Sequence, residues 1–190
     1  MAFGVRASCL PIIRTSMNLN ELRQQALHDP DIPAGLRRAL EAGFSLESIH
    51  LDARGRWWHQ GEPFINQRLI GLFHRSLHQT AGGTWLLTIP PFSYPVTVEG
   101  VGRFIHRIER QADATVMHTR DGRELPFDPH ALTTDGLDGL FTVINGEPAR
   151  FVDDAWKVLS PNIDLTDDMW VLNWQGHEAF IGTETQPPKR

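Results

Sequence analysis

The chain has 190 residues, of which 41% are hydrophobic and 22% are charged, and its formal net charge at pH 7 is −5. This composition is typical of one globular domain or two small ones. The net negative charge disfavours a nucleic-acid-binding protein that works by counterion release. No apolar run approaches the roughly 20 residues of a membrane-spanning helix, so we expect no membrane partner. The single cysteine, Cys9, excludes an internal disulfide framework and favours a reducing compartment, which predicts a cytoplasmic location.

Residues 1–17 are predicted to be a disordered extension. They include Arg6 and Arg14 but no acidic residue, and they lack the apolar run of a secretory signal. An organelle transit peptide is one alternative, and a protein whose translation starts at Met17 is another. The composition favours the extension or the later start over the transit peptide.

Two amphipathic helices are predicted next. The first begins at Asn18 or Asn20, either of which can act as an N-cap, and ends at Asp29-Pro30-Asp31 because proline interrupts the helical hydrogen bonds. The second follows Pro33 and stops at Gly43. The residues predicted to face the core are Leu19, Leu22, Leu27, Leu36, Leu40 and Phe44.

The pattern then changes from helical to alternating. Residues 49–51 and 57–59 are predicted to form a hairpin around the turn Arg54-Gly55. A third helix is predicted over residues 66–79, with Asn66 as its N-cap and an apolar stripe along one side. The residues of that stripe are Leu69, Ile70, Phe73 and Leu77.

Most of the remaining chain consists of short alternating segments separated by turn sequences. The predicted strands are 85–89, 96–99, 104–109, 115–119, 124–127, 140–144, 149–152, 169–174 and 178–181. Residues 128–139 are polar and suit a linker or a long crossing loop, whereas Asn145-Gly146 is a strong hairpin turn. Asp153 is predicted to cap a short helix. Because strands follow one another without intervening helices, the predicted class is α+β with antiparallel strands.

The order of elements suggests two structurally similar halves. Residues 18–90 would form an N-terminal α+β half, and residues 91–185 a mostly β C-terminal half. Residues 186–190 are predicted to be a frayed tail. No repeat is visible in the residues themselves, so the suggestion rests on helices preceding paired strands in both parts.

Two groups of residues have some of the features of metal ligands. His74 and His78 are four residues apart on the third helix, but no glutamate follows His74, and their position beside the apolar stripe indicates a solvated face. Asp164, Asp167 and Asp168 lack the glycine and glutamate of an EF-hand loop and suit a solvated loop. We therefore predict no metal and no cofactor.

The segment Arg54–Phe64 is the main candidate for function. Trp57 offers a stacking face, His59 a donor or acceptor near neutral pH, and Glu62 a charge. The alternative is structural, because adjacent tryptophans on a strand point to opposite faces, and one of them would enter the core. Neither a nucleophile-elbow motif nor a phosphate-binding loop motif is present, so no catalytic residue is predicted.

A second candidate lies on the strand that begins near Arg103. His106 shares one face of that strand with Phe104 and Ile108, where a hydrogen-bonded core or boundary histidine is the ordinary interpretation. The alternative is that His106 forms a pocket wall together with His59.

Residues 49–98 resemble the bacterial family DUF1285, whose function is unknown. The matching residues are Asp52, Gly55–Phe64, Arg68–Ile70, Leu72-Phe73, Gly83–Thr88 and Val96–Glu99. The resemblance implies an α+β protein with two similar halves, the second loosely like a pleckstrin-homology domain. It also implies a site between the halves for a nucleotide-like molecule and a role in signalling, but no catalytic activity.

The prediction is therefore a non-enzymatic, small-ligand-binding or regulatory protein with its site between the two halves. The residues assigned to the site are Trp57, His59, Glu62, Arg103 and His106. One alternative is a protein interaction module, with a homodimer or another protein as partner, which a contiguous apolar surface patch would favour. The other is a hydrolase in which His59 or His106 acts as a base beside Glu62.

Overall fold

The computed structural model describes residues 17–112 and 114–183. The predicted tail at 186–190, Cys9 and nearly all of the predicted N-terminal extension lie outside these residues. The helices are α1 (Leu19–His28), α2 (Ala34–Glu41), α3 (Gln67–Ser76) and α4 (Asp153–Leu159), with short 3-10 turns at Pro129–Ala131 and Ser160–Asn162. In the part of the chain that is described, no helix is long and apolar enough to cross a membrane.

The strands are short and follow the helices in the order predicted for an α+β protein, so that class is confirmed. They are β1 (Ile49–Leu51), β2 (Trp57–His59), β3 (Glu62–Pro63), β4 (Leu77–Gln79), β5 (Trp85–Ile89), β6 (Phe92–Pro95), β7 (Thr97–Val98), β8 (Arg103–Arg110), β9 (Thr115–Thr119), β10 (Glu124–Pro126), β11 (Thr133–Thr134), β12 (Leu140–Ile144), β13 (Glu147–Phe151), β14 (Ile163–Thr166), β15 (Met169–Trp174) and β16 (His177–Thr183).

The N-caps of α1 and α3 were predicted correctly from local sequence, whereas that of α4 was not. Asn18 caps α1 through a capping box, in which its side chain accepts from the amides of Asn20 and Glu21 while the Glu21 carboxylate accepts from the Asn18 amide. Asn66 caps α3 in the same way, without the reciprocal bond. The helix at Asp153 differs, because its N-cap is Val152 and no side chain caps it.

Two predicted core residues of the first helices are on the surface. Leu19 is 37% exposed and Phe44 is 49% exposed. Phe44 follows the end of α2 and packs edge-on against Tyr94, with ring centroids 6.3 Å apart, instead of continuing the helical stripe. The other predicted core residues, Leu22, Leu27, Leu36 and Leu40, pack together in a core that also includes Leu46 and Leu86.

The third helix is shorter than predicted. It ends at Ser76, and residues 77–79 form β4 because their backbone pairs with β5 in a three-stranded sheet, with Leu77 opposite Leu87. Leu77 is still buried, at 1% exposed. The apolar residues predicted to lie on one helix therefore enter the core from two elements, the helix α3 and the strand β4.

The strands form three sheets, of which the three-stranded sheet β4-β5-β6 is antiparallel and the other two mix parallel and antiparallel pairs. A four-stranded sheet has the order β3-β2-β1-β7, and a nine-stranded sheet has the order β10-β9-β8-β13-β12-β11-β16-β15-β14. The pairs β1·β7, β8·β13 and β11·β16 are parallel, which the antiparallel prediction missed. Residues 128–139 are not a free linker, because β11 lies between β12 and β16.

Strand β8 connects the two largest cores. Phe104 packs in the core around Trp57 and Phe73, whereas the next residue, Ile105, packs in the core of the nine-stranded sheet. This follows from the alternation of side chains across a strand. The predicted boundary between the two halves, at residues 90 and 91, falls in the turn between the paired strands β5 and β6. This boundary and the pleckstrin-homology-like form of the second half stay predictions.

Candidate functional site

The turn before β2 is held by Asp52. One carboxylate oxygen accepts from the backbone amides of Arg54 and Arg56, both at 2.9 Å, and the other accepts from Arg56 Nε at 2.7 Å and Trp58 Nε1 at 3.0 Å. The Arg56 guanidinium also lies 5.2 Å from the centroid of the Trp58 ring. Burial alone would raise the pKa of Asp52, but these hydrogen bonds outweigh it and lower that pKa. Asp52, Arg56 and Trp58, which belong to the segment that resembles DUF1285, therefore stabilise the turn in which they lie.

Trp57 lies in the core. It is 1% exposed and packs edge-on against Phe73 and His74, at centroid distances of 5.2 and 5.8 Å. Trp58, the next residue, is half-buried on the opposite side of the strand. In this conformation Trp57 offers no open face for stacking on a ligand.

His59 and Glu62 lie at the outer side of the four-stranded sheet. They face each other in the β2·β3 pair, and His59 Nε2 is 2.7 Å from the Glu47 carboxylate. Glu62 is exposed, on the edge strand. Neither residue belongs to the polar cluster around Arg103.

That cluster lies at the start of β8, between α3 and the turn that follows β9. We call it the junction cluster, and its members are His74, Arg103, Arg120, Asp121 and Arg123. Arg103 Nε donates to Glu147 at 2.8 Å, and Arg103 Nη1 donates to the carbonyl of His74 at 3.3 Å. Arg103 thus connects α3 to strand β13 of the nine-stranded sheet.

Asp121 is the internal anion of the junction cluster. Its carboxylate accepts from the Thr119 hydroxyl and lies 2.7 Å from Arg123 Nη2 and 4.0 Å from Arg103 Nη1. Burial would raise the pKa of Asp121, but the hydrogen bonds from Arg123 and Thr119 and the two guanidinium charges lower it. Arg120 pairs with Asp153, which is the first residue of α4 and not its N-cap.

His74 is buried, and the prediction that it lies on a solvated helix face was wrong. It is 2% exposed, because β8 covers that side of α3 and places Phe104 against the imidazole at a centroid distance of 6.0 Å. Burial lowers the pKa of His74 to about 4, and the charges of Arg120 and Arg103 act in the same direction. The imidazole is therefore neutral at pH 7.

The junction cluster borders a narrow void that admits no water molecule. Its lining includes His74, Arg103 and Arg120. Three buried nitrogens here have no hydrogen-bond partner among the described residues: His74 Nε2, Arg120 Nε and Arg123 Nε. Such a group costs about 1–3 kcal/mol when it is left unpaired, so the cluster has unused hydrogen-bonding capacity in one small region.

His106 borders the junction cluster but does not line the void. A β-bulge between Ile105 and Arg107 interrupts the alternation, so that Phe104 and Ile108 pack against different cores and not on one face as predicted. Burial lowers the pKa of His106, and the nearby Arg120 lowers it further.

The structure brings together only part of the predicted site. Arg103 is in the junction cluster, His106 is near it, and Trp57 touches it through His74, whereas His59 and Glu62 are elsewhere. Sequence reasoning placed His74 on a solvated face and did not assign Arg120, Asp121 or Arg123 to the site. The only signal for the last three was a charged hairpin turn, which is ordinary on a protein surface.

No known family profile matches the chain, and no curated protein matches it significantly. Two solved structures are similar to it. A DUF1285 family protein from Silicibacter pomeroyi DSS-3 is 16% identical and covers 72% of this chain and 80% of its own, with a TM-score of 0.51. A DUF1285 family protein from Shewanella baltica OS155 is 20% identical and covers 56% of this chain and 84% of its own, with a TM-score of 0.43. The chain therefore has the fold of a DUF1285 family protein, which supports the resemblance seen in residues 49–98.

Proposed function

We propose that the protein is a non-enzymatic, cytoplasmic regulatory protein that binds a small anionic group, such as the phosphate of a nucleotide-like molecule, at the junction cluster. The observation that carries this proposal is that one imidazole and two guanidinium groups of the junction cluster, those of His74, Arg120 and Arg123, each have a buried nitrogen with no hydrogen-bond partner among the described residues. Guanidinium groups match the geometry of phosphate and carboxylate oxygens.

The electrostatics of the cluster support an anion. The charge of Arg120 lowers the pKa of both His74 and His106, after burial, so the potential at both imidazoles is positive. Asp121 and Asp153 offset part of this charge. An incoming anion would compete with these carboxylates for the guanidinium groups, and its binding would be coupled to movement of the β9–β10 turn.

The size of the void limits which part of a ligand enters it. The space admits no water molecule as it stands, so only a small anionic group such as a phosphate or carboxylate could enter, and only if the surrounding side chains moved. The remainder of a nucleotide-like ligand would lie outside, and Arg120 would have to move to admit the anion.

The test is a titration of the protein with inorganic phosphate, AMP and ATP, followed by tryptophan fluorescence and thermal unfolding. Trp57 contacts His74 and would report on the site. A ligand at 100 times its Kd should stabilise the protein by about 2.7 kcal/mol. The variant Arg120→Gln should weaken binding by about tenfold or more, whereas Arg68→Gln, at an exposed position on α3, should not.

Two results would contradict the proposal. One is the absence of a saturable response to all three compounds, and the other is equal affinity in the wild type and Arg120→Gln. The hydrolase alternative has less support, because His59 is engaged with Glu47 and neither His59 nor Glu62 lines the void.

A further inference from the structure

A larger groove lies far from the junction cluster, at the corner formed by β11, β15 and β16. Its volume is about 560 Å³, which is within the usual range of about 300–1,000 Å³ for binding sites. Leu132, Met169, Trp170 and Phe180 provide its apolar lining, and Asp168 lies at its rim. Met169 is 50% exposed and Phe180 is 60% exposed, so these apolar side chains are available to a partner.

A further exposed apolar residue lies at the edge of the nine-stranded sheet, on the opposite face from Met169 and Phe180. Strand β14 is the last strand of that sheet and has β15 as its only neighbour among the described residues. Leu165, on β14, is 57% exposed. An uncovered edge with exposed apolar residues is a common feature of interaction surfaces.

The charged side chains of strands β14 to β16 and their turns are all acidic. Strands β14 to β16 with their turns, residues 163–183, contain no lysine or arginine. They contain four acidic residues, which are Asp164, Asp167, Asp168 and Glu178. A second copy of the chain would bring these charges together, and nucleic acid and anionic membranes would be repelled. The complementary partner is therefore a basic one.

We propose that this groove binds an extended segment of a partner protein that carries a lysine or arginine between apolar residues. The aliphatic part of the basic side chain would pack against Phe180 and Met169, which share one face of the sheet, and its charged group would pair with Asp168. An aromatic face and a carboxylate together provide the chemistry that recognises such a cation. This inference is independent of the junction cluster.

A fluorescence anisotropy titration tests it, with a labelled peptide Gly-Val-Lys-Val-Arg-Val-Gly as probe and the same peptide with glutamate at both basic positions as control. We expect saturable binding of the basic peptide only, which weakens as salt is raised. Phe180→Ser and Asp168→Asn should each weaken binding by about tenfold. Asparagine is chosen because Asp168 has a φ of 63°, which asparagine tolerates.

Val143→Ser is the matched control, because Val143 is 58% exposed but does not line the groove. It should bind the peptide like the wild type, as should Arg120→Gln. Three results would overturn the proposal: no saturable binding of the basic peptide, equal binding by Phe180→Ser and the wild type, or a dimer in sedimentation that Phe180→Ser dissociates. The last would show that a second copy occupies the groove.

Discussion

Protonation of His74 should couple the stability of the protein to pH. The imidazole is 2% exposed, between Trp57 and Phe104, and burial together with Arg120 and Arg103 lowers its pKa from 6.5 to about 4. In the unfolded chain the pKa is about 6.5. Below that pH the unfolded state binds a proton that the folded state does not bind, so stability is lost as the pH falls.

The magnitude follows from the two pKa values. One pKa unit corresponds to about 1.4 kcal/mol, so the complete loss between neutral pH and pH of about 4 is about 3 kcal/mol. Most of it, about 2 kcal/mol, should already be lost at pH of about 5. Above pH of about 6.5, His74 is neutral in both states and contributes no pH dependence.

The assay is urea unfolding of the wild type and of His74→Phe at pH of about 7.5 and about 5.0. Phenylalanine keeps the ring between Trp57 and Phe104 but cannot be protonated. The difference in unfolding free energy between the two pH values should be about 2 kcal/mol smaller in His74→Phe than in the wild type. His106 also has a lowered pKa, but its contribution is present in both proteins and cancels in the comparison.

The control is His78→Phe, since His78 is exposed on β4. This variant should keep the pH dependence of the wild type. If His74→Phe loses as much stability on acidification as the wild type, the pKa of His74 is the same in the folded and unfolded states. That result would refute the lowered pKa assigned to the buried imidazole.

Two further variants test the turn before β2 by urea unfolding. Gly55→Ala should destabilise the protein by about 2–4 kcal/mol, because φ at Gly55 is +75° and the new Cβ would lie 2.8 Å from Phe104 Cγ. Gly61→Ala, at φ +87° with nothing within 4 Å, should show only the backbone cost of about 1–2 kcal/mol, and equal losses would exclude the Phe104 contact as the cause. Asp52→Ala should cost about 2–3 kcal/mol, since it leaves four donors unpaired. Because the pKa of Asp52 is lowered, the Asp52 carboxylate stabilises the protein fully above about pH 3.8, and this stabilisation declines at lower pH. The control is Glu62→Ala, which should change stability little because Glu62 is exposed.

The features that the sequence predicted correctly depend on residues close together in the chain. Asn18 and Asn66 cap their helices, and the Asn145-Gly146 turn pairs Ile144 with Glu147, because a cap or a tight turn depends on a few neighbouring residues. The α+β class follows from the periods of the apolar residues. These features were determined by the sequence alone.

Only the tertiary structure decided where α3 ends and what surrounds His74. Helical phase places His74 beside the apolar stripe, and a solvated position is consistent with that phase. Its burial depends on β8, some 30 residues later, which covers that side of the helix. The parallel pairs and the junction cluster likewise join residues distant in sequence, such as Arg103 and Glu147. Periodicity and spacing carry no information about such contacts, because the energy that selects them comes from packing between elements and not from within one.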